Sequence, residues 1–119
     1  MWLLLACVTA SPLVGETLTE DGTWRLTLGD TRYDQGTATV RLTAVEAEAA
    51  LPASGLRIFA RPGMDDMDHL LEVSDFVEGD AGFYSADLLF DMTGLWTLTG
   101  YAGDDLRTES FDFVVEVTP

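Results

Sequence analysis

Residues 64–70 read Met-Asp-Asp-Met-Asp-His-Leu, and the histidine is the only one in the chain. Thioether sulfur is a soft, neutral donor that suits Cu(I) and does little for Mg²⁺ or Ca²⁺, while imidazole suits copper and zinc. Met67 and His69 are two residues apart, so an extended backbone carries both on one side. Met64 lies one turn earlier. The carboxylates of Asp65, Asp66 and Asp68 raise the local cation concentration without having to bind directly. Asp-Asp-Met-Asp-His lacks the spacing of an oxygen cage of the EF-hand kind, which sets Ca²⁺ aside. The bland counterpart is a solvated acidic loop, with methionines filling gaps in a core.

The elements that must hold these donors are strands. Period-two alternation between turn residues recurs along the chain. It places Trp24, Leu26 and Leu28 on one face of 23–29. In 36–45 it points Ala38, Val40, Leu42 and Ala44 inward. Further runs follow at 55–63, at 69–79, and at 82–92, where Tyr84, Ala86, Leu88, Phe90 and Met92 share a side. Then come 94–103 with Trp96 and Leu98, and 106–117 with Phe111, Phe113, Val115 and Val117. Residues 43–55 are alanine- and glutamate-rich, but Pro52 and Gly55 make this stretch a loop. About seven short strands with no helix between them predict an all-β, antiparallel sandwich. In an up-and-down arrangement the 64–68 and 91–94 connections fall at one end, so Met92 joins Met64, Met67 and His69 there. The N-terminus is expected to enter at the opposite end.

With 119 residues the chain is one domain, and its 47% apolar content excludes disorder as the main state. Acidic residues number 21 against six basic ones, all arginine, for a net charge of −15. That balance excludes nucleic acid as a partner, and equally a peripheral grip on anionic lipid. Catalytic chemistry finds no support, since there is one histidine, one cysteine and no nucleophile elbow or phosphate loop.

The start, Met-Trp-Leu-Leu-Leu-Ala-Cys, is too short to span a bilayer, which takes roughly 20 residues. It has the apolar character of a secretion signal but lacks the cationic start. Leu4 to Cys7 resembles the lipobox of bacterial lipoproteins, which implies cleavage before Cys7 and a lipid on its sulfur. Residues 1–20 are then leader and tether, and 21–119 the domain. The competing reading is an apolar terminus with an idle thiol.

Residues 56–102 resemble the YtkA-like domain, related to FixH, of bacterial extracytoplasmic proteins. That family reads Met-Pro-x-Met-x-His, a Gly-x-Tyr strand start, then Met-x-Gly-x-Trp. Here stand Met64, Met67 and His69, then Gly82 and Tyr84, then Met92, Gly94 and Trp96, with Asp65 in the proline's place. The resemblance implies an immunoglobulin-like fold in the periplasm or cell envelope, anchored to the membrane only through the N-terminal lipid. It also implies an accessory role in copper handling, metal efflux or respiratory-oxidase assembly. Two classes follow: a protein binding Cu(I) through Met64, Met67, His69 and Met92, or a metal-free module docking onto a membrane complex. Gly94 is expected to serve a tight turn, and Trp96 to fill the core rather than cover a cation.

Overall fold

A computed structural model of the protein describes residues 15–64 and 69–119, with His69 described through its backbone alone. Among the described residues every regular element is a strand: β1 Glu16–Leu18, β2 Trp24–Leu28, β3 Arg32–Asp34, β4 Gly36–Glu46, β5 Arg57–Met64, β6 His69–Leu70, β7 Ser74–Glu78, β8 Phe83–Phe90, β9 Gly94–Gly103 and β10 Thr108–Thr118. They form one mixed, curled sheet in the order β1-β2-β4-β8-β7-β5-β9-β10-β3, with β6 paired to β5.

The alternation in the sequence matches the face each side chain takes. Trp24, Leu26, Leu28, Val40, Leu42, Ala44, Tyr84, Ala86, Leu88, Phe90, Trp96, Leu98, Phe111, Phe113, Val115 and Val117 are all buried in one apolar core. Burying that surface is the main favourable term for a chain of this size without a disulfide. Phe90 sits at its centre, stacked on Tyr33 at 5.5 Å and edge-on to Trp96 at 5.4 Å. Burial, with Asp30 adding to it, pushes the Tyr33 hydroxyl up to about 12.

Several expectations need correction. Ten strands are present among the described residues rather than about seven. Two of the extra ones, β1 and β3, span three residues each, too few to register as alternation. The run 69–79 is two strands, β6 and β7, interrupted at 71–73. The stretch 43–55 is strand as far as Glu46 and a loop only after it. Pairing is antiparallel except that β3 lies parallel to β10, Glu116 opposite Arg32. Short connections forbid parallel pairing between consecutive strands, but β3 and β10 are far apart in sequence, so the constraint does not reach them.

The expected tether also ends earlier than residue 20. Glu16–Leu18 pairs antiparallel with β2. The 23–29 strand is entered at Trp24 from the end opposite Met92, as expected, but β1 precedes it and, antiparallel to β2, runs in from the Met92 side. Cys7 and the rest of 1–14 lie outside the described residues.

The β1–β2 turn is locked to β10 by one buried carboxylate. Glu109 is fully enclosed. Its Oε1 accepts from the Thr19 hydroxyl at 2.6 Å and the Asp21 N–H at 3.2 Å, and its Oε2 accepts from the Thr23 hydroxyl. The Glu20 N–H donates to the Ser110 carbonyl beside it at 2.9 Å. Burial alone would raise the Glu109 pKa; the Thr19 and Thr23 hydroxyls with the Thr23 and Asp21 amides outweigh it and hold the group below its ordinary value.

Removing that carboxylate strands the donors that face it. Glu109→Ala is expected to cost about 1–3 kcal/mol in urea unfolding. Because the folded-state pKa is the lower one, the carboxylate's contribution is complete above the unfolded value of about 4.3 and fades as pH falls through the folded value. The stability gap between wild type and Glu109→Gln should therefore hold steady above about pH 5 and narrow in acid. A gap that stays constant down to pH 2 would show that the Glu109 charge contributes nothing.

Candidate functional site

Four side chains carry the metal hypothesis, and the described residues place them unequally. Met64 ends β5 with a buried side chain, 4% exposed, inside the apolar core. Its backbone pairs with His69 across the β5–β6 ladder. Met92 lies in the β8–β9 connection, partly buried against the core. Met67 and the carboxylates of 65, 66 and 68 lie outside the described residues.

Two segments remote in sequence do meet. β9 runs antiparallel to β5 with Thr97 opposite Gly63, so the end of one strand lies beside the start of the other. The Met64 methyl rests against Gly94, where an added Cβ would stand 2.8 Å from Met64 Cε. Gly94 also has φ +131°, a region that side chains disfavour. Glycine at 94 thus serves two demands: it starts β9 in a left-handed conformation and leaves room for the thioether of Met64. The turn before it is fastened by the Trp96 indole N–H, which donates to the Met92 carbonyl at 3.0 Å. Trp96 itself is buried beneath the turn, 1% exposed, so its ring packs the core.

Chemically, this end of the sheet brings the Met64 side chain, the Met92 turn and the His69 backbone into one neighbourhood. Among the described residues no group of three or more His, Cys, Asp or Glu side chains is placed to hold a metal ion. A site here would draw on soft sulfur donors, which select Cu(I).

A different ionisable cluster went unread in the sequence. Glu109 occupies the inward register of β10, two residues before Phe111, and a carboxylate at an inward position was its available signal. At the same far end, the Glu78 carboxylate accepts from the Gly55 N–H at 2.9 Å and the Gly82 N–H at 3.0 Å. These bonds, the one from Gly82 foremost, hold its pKa below the ordinary value. The Tyr84 hydroxyl, raised chiefly by burial, donates to the Ala53 carbonyl and accepts from the Leu56 N–H. The Gly82–Tyr84 pair read in the sequence as a strand start thus fixes the 53–56 loop.

No protein-family model, curated protein or solved structure matches the chain.

Gly94→Ala meets both a disfavoured φ and the Met64 methyl, and is expected to cost about 1–3 kcal/mol in thermal or urea unfolding. Trp96→Phe keeps most of the ring but loses the bond to Met92, with an expected cost of about 1 kcal/mol. Should Gly94→Ala be neutral, the contact with Met64 does not constrain this turn.

Proposed function

We propose that the protein is an extracytoplasmic, lipid-anchored accessory module that binds Cu(I) at the end of its sheet through Met64, Met67, His69 and Met92. The reading takes the fold as a variant of the immunoglobulin-like sandwich and Cys7 as the lipid attachment point. It treats the chain as a carrier or docking protein of the YtkA-like kind, without catalysis. The observation that carries it is the meeting of Met64 with the 92–96 turn: segments far apart in sequence bring sulfur-bearing residues to one place, beside the backbone of the only histidine. The surrounding net charge of −15 favours a cation.

One observation favours a second reading. Met64 is enclosed and packed against Gly94, as a core residue would be. If packing is its whole role, the domain is a metal-free module that supports a membrane complex, such as an oxidase under assembly or an efflux system.

Titration of the full chain with Cu(I) under reducing conditions separates the two. Binding at micromolar or tighter affinity, lost in His69→Ala and in Met67→Leu, is the expected outcome. Met64→Leu is close to volume-conserving and should change stability by less than about 1.5 kcal/mol, so weakened copper binding in that variant reports a ligand rather than a packing defect. Affinity should fall as pH drops through about 6.5, because a ligating imidazole must be neutral. Binding that ignores all three substitutions, or no binding at all, leaves the metal-free module.

A further inference from the structure

The curled sheet has a gap in its hydrogen bonding along one side of β8. β7 bridges the two halves of the sheet: Ser74, Asp75 and Phe76 pair with β5, while Val77 and Glu78 pair with Ser85 and Tyr84 of β8. Beyond Ser85, β8 continues for five residues, paired among the described residues with β4 on one edge only. The direction of its backbone groups follows from the ladder. The Ala44 N–H donates to the Gly82 carbonyl, so the even-numbered residues of β8 bond toward β4. The Gly79 N–H donates to the Phe83 carbonyl on the other edge, so the odd-numbered residues face away from β4. Asp87 and Leu89 therefore turn their N–H and C=O groups outward, and among the described residues no strand meets them. β5 does not close the gap, because β6 takes its end, Gly63 opposite Leu70.

The gap is a groove of about 590 Å³, with Arg61, Leu70, Leu71, Glu72, Asp87 and Leu89 among its walls. Leu70 is 58% exposed and Leu89 48%. An unpaired strand edge next to exposed apolar side chains is a template for one more strand. Charge selects among candidates: Glu72 and Asp87 outnumber Arg61 in the walls, and the whole molecule carries −15. The Asp87 carboxylate already accepts from the Thr39 hydroxyl at 2.8 Å and points along the outer face, where an incoming cationic side chain reaches it.

We infer that this groove binds an extended segment of a partner protein as an added β-strand on β8, one in which apolar residues alternate with arginine or lysine. The incoming backbone bonds to Asp87 and Leu89. Asp87 and Leu89 share the outer face of β8, so the segment's cationic side chains take that face, reach Asp87 and Glu72 and lay their stems on Leu89, while its apolar ones turn to the inner face beside Leu71. The inference does not depend on metal binding, although Leu70 adjoins His69, so a docked strand would end beside the candidate metal site.

The test uses the full chain and a capped octapeptide that alternates valine with arginine, followed by amide hydrogen exchange and by sedimentation. Binding that slows exchange at Asp87 and Leu89 is expected, with affinity at least tenfold weaker for the valine–glutamate counterpart. N-methylation of alternate peptide bonds should abolish it. Leu89→Pro removes an N–H that serves no bond to β4, so it should leave the fold intact and weaken the peptide at least tenfold. The inference is overturned if the peptide does not bind or protects other residues, or if the glutamate peptide binds as well. It is also overturned if the Asp87 and Leu89 amides are already slow in the free chain, whether in a monomer, where its own terminus fills the groove, or in a dimer, where a second copy does.

Discussion

Glu109 lies where two distant parts of a curled sheet touch, and the closed form of the sheet depends on how that carboxylate is satisfied. A carboxylate taken out of water is costly unless every oxygen is bonded. Here the donors come from the turn that reverses β1 into β2, six to seven places away along the strand order from β10. The same bonds that solvate the charge thereby fix the seam. At the other margin the sheet is closed differently: β3 lies parallel on the end of β10, and the chain then passes through Gln35 into β4. Both seams hold the concave side shut over one core, with Phe90 between Tyr33 and Trp96.

With those seams fixed, the two ends of the sheet differ in character. The far end is tied by backbone bonds to Glu109, Glu78 and Tyr84, so its loops have little freedom. The near end has the Met64–Gly94 contact, the indole bond to the Met92 carbonyl and the Gln35 side-chain amide bond to the Asp91 carbonyl. Methionine is the residue type that adapts to such a seat, because its side chain is unbranched and its sulfur polarizable. Its burial raises the cost of pulling the thioether out to an ion. The proposed copper site and the proposed strand-docking groove share this end, separated by Leu70.

Much of this could be read from residues 21–119 before any coordinates. The faces of β2, β4, β8, β9 and β10 follow the two-residue period without exception among the buried apolar positions named, since a strand with one face in a core cannot slip by one residue without turning that face outward. That Met64 and the 92–94 turn share one end was also legible, because strands that alternate in direction send every second connection to the same end. β1 and β3 were not legible. Three residues carry no period, and each of these strands is stabilised by its neighbour rather than by its own composition. Glu109 was missed for a related reason: its inward register was visible, but a lone inward carboxylate reads as an exception until its donors are known.

What the sequence determined by itself is therefore local and periodic: strand content, the inward set, the need for glycine at 94, a strongly acidic composition, and a cluster of soft donors near one turn. Tertiary structure alone decided the presence and direction of β1, the parallel pairing of β3, the burial of Met64, and the edge at Asp87 and Leu89 that no described strand meets. These are relations between segments far apart in the chain. A residue's type fixes what it can bond to, but only the closed sheet decides which partner is within reach and which backbone groups are left without one.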